Sequence, residues 1–476
     1  MYKMLFSPMN IGKMVVPNRI VMTAMGNYLA NPDGSVSDRD IAFYGARAKG
    51  GVGLIITECT CVNFQTGKGN THQIAVDDDK YIQGLKRLAD EVHKYGSVIA
   101  VQIYHPGRQG IAAINGNKTM AAPSVTKCKV VQQPTHEMTK EEIKDTIDRF
   151  VKAAKRLQKA GIDAVEIHAA HGYLINQFLS PYTNLRTDEY GGSFENRMRF
   201  LDEIIAGIRK ECGPDYPIIV RFSATEYMEY AGQPGVGLQL EDGVRIAKHL
   251  EEQGVDALDV SSGIYETMNT AWEPISFDQG WKIENAARIK KEVNIPVIGV
   301  SVIREPEYAE QILEEGKVDF IGSARQFFAD PEWANKAKAR KEKSIIKCIS
   351  CLYCMETLMN ADMSPEPMSC AINYEGGKEL YYGEHLLKKD GDSRVVVIIG
   401  AGPAGMEAAR VLALRKFKPI IFEKRSEVGG QVVYGSRPPK KEKLYWLIEY
   451  LKGQMEDLGV EIRLNHAPTV EEIKAL

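Results

Sequence analysis

A chain of 476 residues is too long for one ordinary domain and, with 44% hydrophobic and 26% charged residues, can bury a large core. Its 60 lysines and arginines nearly balance 63 aspartates and glutamates, which excludes the strong field that steers a protein to nucleic acid or anionic lipid and leaves a small molecule as the expected partner. The N-terminal MYKMLFSPMNIGK has no apolar signal core or small-residue cleavage site, and no stretch reaches the roughly 18 apolar residues of a membrane span, so the expected location is the cytoplasm, away from membranes.

Eight apolar runs read as strands: Asn18–Ala24, Gly53–Glu58, Ser97–Tyr104, Ala164–Ala169, Pro217–Ala224, Ala257–Gly263, Pro296–Val300 and Asp319–Ser323. Charged stretches of helical period follow them. In the one that begins EEIKDTIDRF, Thr139 and Glu142 form a predicted capping box. Three helices close on a glycine and re-enter a strand in nearly the same way: KAGIDAVEI, EQGVDALDV and EEGKVDFIG. Glycine there accepts the left-handed conformation of a helix C-terminus, and the apolar run after it is too continuous for a half-exposed strand. Eight such units over roughly 330 residues predict an α/β fold of the (β/α)8 barrel type. An open doubly wound sheet would carry a glycine fingerprint after its first strand, and NRIVMTAMGN has none.

Catalytic groups of a barrel sit at the C-terminal ends of its strands and in the loops that follow. That rule selects His168 at the end of the fourth strand, His171 and Tyr173 just after it, and Gln102, Arg221 and Arg325. Glu166 and His168 share a face by strand alternation. From the residues alone, three roles for the HAAH pair stay open. The histidines could be satisfied by backbone groups, could bind zinc, or could aim two N–H groups at one ligand oxygen on which charge develops. The segment lacks the glutamate of a metalloprotease helix.

Past the barrel, Cys348, Cys351, Cys354 and Cys370 crowd into 23 residues, whereas Cys59, Cys61, Cys128 and Cys212 are scattered. Four thiolates so placed suit zinc or an iron-sulfur cluster. After a polar linker, RVVVIIGAGPAGMEAARVLALRKFKPIIFEK carries Gly400, Gly402 and Gly405 between an apolar strand and a helix opened by Pro403. Glu423, at the end of the next strand, stands where a ribose-binding carboxylate belongs in a Rossmann-like dinucleotide site.

NRIVMTAM, VQIYHPGR, EIHAAHGYLINQFLSPYTNLRTDEYGGSFENRMRF, VRFSA and GSARQFFADP resemble, in order, the Old Yellow Enzyme family of FMN-dependent ene-reductases. With the cysteines and the glycine fingerprint, the whole chain resembles the family's iron-sulfur branch, which includes 2,4-dienoyl-CoA and 2-enoate reductases. The resemblance implies that Thr23, Met25 and Cys59 contact the isoalloxazine ring, that Gln102 and Arg221 bond its pyrimidine side, and that Ser301, Ala324 and Arg325 form the phosphate pocket. It implies that His168 and His171 hold a substrate oxygen while Tyr173 protonates carbon. It makes Cys348, Cys351, Cys354 and Cys370 the ligands of a [4Fe-4S] cluster, although the two residues between Cys351 and Cys354 and the fifteen between Cys354 and Cys370 depart from the family's spacing. SEVGGQ, with Gly430 and Gln431, resembles the continuation of an FAD site.

The expected organisation is therefore an FMN barrel over residues 1–345, a cysteine segment over 346–392, and a Rossmann-like part over 393–476 that holds about half of an FAD and NAD(P)H module and reads as truncated, with FAD binding weak or lost. The implied reaction is reduction of an α,β-unsaturated carbonyl compound (enoate, enone or enoyl thioester) with electrons from NAD(P)H by way of FAD and the cluster. The alternative is an amine dehydrogenase resembling trimethylamine dehydrogenase. Tyr265, Trp272 and Phe277 are expected on one wall of the pocket, as stacking or as packing residues. A homo-oligomer is compatible with all of this.

Overall fold

A computed structural model describes residues 2–360 and 367–476. All eight expected strands form: β1 (Ile20–Met22), β2 (Leu54–Cys61), β3 (Val98–Tyr104), β4 (Ala164–Ala169), β5 (Ile218–Ser223), β6 (Ala257–Ser261), β7 (Val297–Val300) and β8 (Phe320–Ser323). They pair in parallel and in chain order, and β8 returns to β1 to close the barrel. Helices cover its outer face, so the strands are buried on both sides, which is why their sequences are continuously apolar rather than alternating. Gly161, Gly254 and Gly316, in the three repeated helix-to-strand junctions, all have positive φ (78°, 78° and 66°). Thr139 and Glu142 make the expected capping box on the helix Lys140–Lys159.

An N-terminal hairpin, Met9–Ile11 against Met14–Val16, was not apparent in the sequence. Its Ile11, Met14 and Val16 join Val21, Leu54 and Ala100 in an apolar cluster that plugs the N-terminal end of the barrel. The opposite end collects polar side chains by strand register. Cys59 stands opposite Gln102 and Gln102 opposite Glu166, while His168 lies opposite Arg221 and Arg221 opposite Asp259.

The C-terminal unit is a parallel three-stranded sheet of β9 (Val395–Ile399), β10 (Lys418–Phe422) and β11 (Glu461–Arg463), with its own core around Met406, Ile421, Ile448 and Leu451. It leans on the barrel through Lys443, whose Nζ donates to the carbonyls of Ile275 (2.7 Å) and Phe277 (2.6 Å). Among the described residues no helix is long and apolar enough to cross a membrane.

Candidate active site

A cavity enclosing about 1040 Å³ of non-protein space opens at the C-terminal mouth of the barrel. Thr23, Met25, Cys59, Gln102, His168, His171, Tyr173, Arg221, Ala324 and Arg325, drawn from the ends of six barrel strands and the loops that follow them, all line it. Ser301 does not, although its neighbours Val300 and Val302 do: its hydroxyl accepts from the backbone N–H of Lys282 at 3.0 Å, so its side chain is engaged away from the cavity. Of the loop aromatics, Trp272 faces the cavity, whereas Phe277 packs on Trp281 with ring centroids 4.7 Å apart. Tyr265 reaches the site indirectly, through a 3.0 Å hydroxyl contact with Tyr173.

The site is polar and unsaturated where a flat hydrogen-bonding ring would lie. Thr23 Oγ1 and Arg221 Nε are buried with no hydrogen-bond partner, a costly state unless a ligand supplies one. Arg221 donates from Nη1 to the Ala24 carbonyl at 3.1 Å, and its Nε lies 3.4 Å from Asp259 Oδ2, an ion pair without hydrogen-bond geometry. Two further cations that the sequence did not single out, Lys282 and Arg304, line the same cavity beside Arg325 and the carboxylate of Glu273. That carboxylate is already bridged by Lys282 and Arg325, each at 2.7 Å. Lys282, Arg304 and Glu273 lie in long loops whose path no local pattern encodes. A flavin's electron-rich pyrimidine edge and its phosphate both fit this donor-rich wall.

His168 ends β4, and its Nδ1 accepts from the backbone N–H of Ala170 at 3.3 Å. His171 is held at φ 60°, an uncommon conformation for a side-chain-bearing residue, by its own N–H donating to Ser223 Oγ (3.0 Å) and by Gln109 Nε2 donating to its carbonyl (3.2 Å). The rings meet edge to face, with His171 Nδ1 3.4 Å from His168 Nε2, while His171 Nε2 lies 2.7 Å from Ser261 Oγ. Burial, and after it the nearby Arg221 charge, hold both imidazoles well below their ordinary pKa, so both are neutral single donors. Burial first, then Tyr265, raises the Tyr173 phenol well above its ordinary value, so it keeps its proton. Burial also pushes the Cys59 thiol up to about 12, which makes it a neutral wall rather than a nucleophile.

Beneath the pair, Glu166 and Asp259 are fully buried. Gln102 Nε2 donates to Glu166 Oε1 at 2.7 Å. Written as two carboxylates, Glu166 Oε2 and both oxygens of Asp259 have no donor; one shared proton satisfies Glu166 Oε2 and one oxygen of Asp259. Burial, then the Asp259 charge, drives Glu166 well above the carboxylate range, which places the proton on Glu166. A neutral Glu166 that accepts from Gln102 and donates to Asp259 is matched by glutamine. Glu166→Gln is therefore expected to keep flavin binding and melting temperature near wild type, whereas Glu166→Leu strands two buried polar groups and loses about 1–3 kcal/mol, read by thermal unfolding of the flavin-loaded protein.

All four clustered cysteines line a second, smaller cavity of about 310 Å³, and Cys348, Cys354 and Arg325 line both cavities. Among the described residues no three His, Cys, Asp or Glu side chains stand in the geometry of a single metal ion. Four thiols around a common space suit a polynuclear cluster, whose ligands stand farther apart than those of a lone ion. Residues 361–366, between Cys354 and Cys370, lie outside the described part. Arg304 fixes the segment to the barrel by donating from Nε to the Cys348 carbonyl and from Nη2 to Ser350 Oγ, each at 2.5 Å.

In the C-terminal unit Gly400 has φ 101°, and a Cβ on Gly405 would meet the Gly400 carbonyl oxygen at 2.0 Å, so both glycines are required by the turn. Gly402 lies against Gly430, Gln431 opens the short helix Gln431–Gly435, and Glu423 accepts from the Ala401 (2.8 Å) and Arg425 (3.0 Å) N–H groups.

Residues 4–344 match the model of the NADH:flavin oxidoreductase / NADH oxidase family, and residues 398–453 that of an NAD(P)-binding Rossmann-like domain. The chain belongs to this flavin oxidoreductase family. An NADH oxidase of Thermoanaerobacter brockii is 47% identical over 473 residues, covering 99% of this chain and 71% of that protein. A cinnamate reductase of Clostridium sporogenes is 37% identical over 489 residues, covering 99% and 72%. The solved complex of 2-naphthoyl-CoA reductase with 2-naphthoyl-CoA superposes with a TM-score of 0.93 at 32% identity, covering 100% of this chain and 72% of that one. The flavin oxidoreductase described here is thus an enzyme.

Proposed function

We propose that the enzyme is an FMN-dependent ene-reductase acting on α,β-unsaturated carbonyl compounds, supplied with electrons from NAD(P)H through FAD and a [4Fe-4S] cluster. The observation that carries this reading is the pair of neutral imidazoles facing a cavity walled by cations. FMN, when bound, supplies hydride transfer to an electron-poor carbon. Thr23, Gln102 and Arg221 would hold its polar ring edge, and Lys282 and Arg325 its phosphate, with Ala324 as wall. His168 Nε2 and His171 Nδ1, 3.4 Å apart, converge on one point from which they would hold a substrate carbonyl oxygen and stabilise the charge that collects there. Tyr173, protonated and edge-on to His168 at 4.9 Å between ring centroids, would give its proton to the α-carbon. Cys348, Cys351, Cys354 and Cys370 would hold the cluster beside the flavin cavity. The glycine loop, Glu423, Gly430 and Gln431 would hold the adenine dinucleotide.

The alternative, oxidation of an amine, calls for a site that welcomes a cation. Here Glu273, the carboxylate on the described wall, is already spent on Lys282 and Arg325, and Arg221 lies beside the histidines. The cinnamate reductase relative also supports the alkene reading. Tyr173→Phe tests the proton step: turnover of an enoate is expected to fall about 10²-fold with KM nearly unchanged, because the phenol acts after the substrate oxygen is held. Unchanged turnover would assign the proton to solvent.

A further inference from the structure

We infer that Ser261 selects the tautomer of His171 that offers Nδ1–H to the substrate oxygen; this rests on the ene-reductase reading above. The Ala170 N–H donates to His168 Nδ1 at 3.3 Å, so the neutral His168 ring carries its proton on Nε2, aimed at His171 Nδ1 3.4 Å away. In the free site that proton is accepted by His171 Nδ1. The His171 proton then sits on Nε2 and is donated to Ser261 Oγ at 2.7 Å. An oxygen lodged between the two rings needs a donor from each. His171 must then carry its proton on Nδ1, and its Nε2, left with a lone pair, accepts from the Ser261 hydroxyl.

Nε2 releases its proton to solvent in the cavity and Nδ1 takes one up from it, so the ring carries one proton before and after, and Ser261 changes from acceptor to donor by rotation about its C–O bond. No reorientation of the imidazole is required, because Nδ1 already faces His168 Nε2 and Nε2 already faces Ser261 Oγ. Ser261 is buried at the end of β6 and lines the cavity. Its hydroxyl is the donor that supports the Nδ1–H form of His171 once an oxygen lies between the rings. A carboxylate there could only accept and would lock the proton on Nε2, turning Nδ1 into an acceptor facing the substrate. A methyl group would leave the choice unguided. Ser261 is thus a positioning residue that acts through His171.

The test uses flavin-loaded enzyme with ¹⁵N-labelled histidine, titrated with p-nitrophenol, whose bound phenolate is visible by absorbance and offers the oxygen that two N–H groups would hold. In the wild type the His171 Nδ1 signal is expected to change from bare to protonated on phenolate binding. Ser261→Thr retains this change, Ser261→Ala binds phenolate about 10-fold more weakly, and Ser261→Asp keeps Nε2–H and loses about 100-fold. A bare Nδ1 in the wild-type complex, or Ser261→Asp binding phenolate as well as wild type, overturns the assignment to Ser261. A wild type that binds no phenolate overturns the oxyanion reading of the site instead.

Discussion

The double variant His168→Ala, His171→Ala is expected to lose at least about 10³-fold in alkene reduction while still holding its flavin, since one oxyanion donor alone is typically worth about 10²–10³-fold. The two side chains touch each other, Ser261 and the cavity, and their strand and loop are fixed by other groups: β4 by its ladder to β3 and β5, and the His171 backbone by Ser223 and Gln109. Loss of the imidazoles therefore removes donors without removing the contacts proposed for the flavin at Thr23, Gln102 and Arg221. The single variants should each approach the double in effect, because the remaining donor alone cannot fix the oxygen. Since burial holds both rings neutral, wild-type turnover should run flat through about pH 6.5, where a free imidazole titrates. The sign follows from linkage. With folded pKa values below the unfolded value, protons bind the unfolded chain preferentially once the pH falls below about 6.5, so the pair costs stability only on the acid side.

Cys354→Ser is expected to separate the two halves of the electron path. The purified variant should lose its iron and sulfide, about four of each per chain, together with the broad visible absorption of the cluster, and keep the flavin bands. Turnover driven by a one-electron or nicotinamide donor that must pass through the cluster should fall to background. Chemically reduced flavin in the barrel should still convert substrate in a single turnover, because His168, His171 and Tyr173 are untouched. The partition is expected because Cys354 lines both cavities and is not one of the residues proposed to hold the flavin ring. A variant with full cluster content would remove Cys354 from the ligand set.

The barrel was legible because its strands are buried on both faces and so leave unbroken apolar runs, and because the Gly161, Gly254 and Gly316 junctions repeat. The Met9–Val16 hairpin was not: strands of three residues carry no period to read. Strand-end logic placed His168, Gln102 and Arg221 because alternation and register leave those side chains one direction. The same logic contained Ser261, at the end of ALDVSSG, but gave no reason to separate it from a packing serine until its 2.7 Å contact was seen. Ser301 shows the limit. A motif gives a position along the chain, but just past β7 the backbone turns through Val302 at φ 46°, and the Ser301 hydroxyl meets the Lys282 N–H instead of the cavity. Lys282, Arg304 and Glu273 come from loops, where only the folded chain reveals what converges.

The most direct test of the central claim is an anaerobic single turnover: enzyme reduced chemically is mixed with cinnamates, flavones, enone steroids and enoyl thioesters while flavin absorbance is followed. The account predicts that at least one such compound reoxidises the flavin with one equivalent of product saturated at the former double bond, and that His168→Ala, His171→Ala abolishes it. No reoxidation by any of them, together with reduction of the oxidised flavin by an amine, would contradict it.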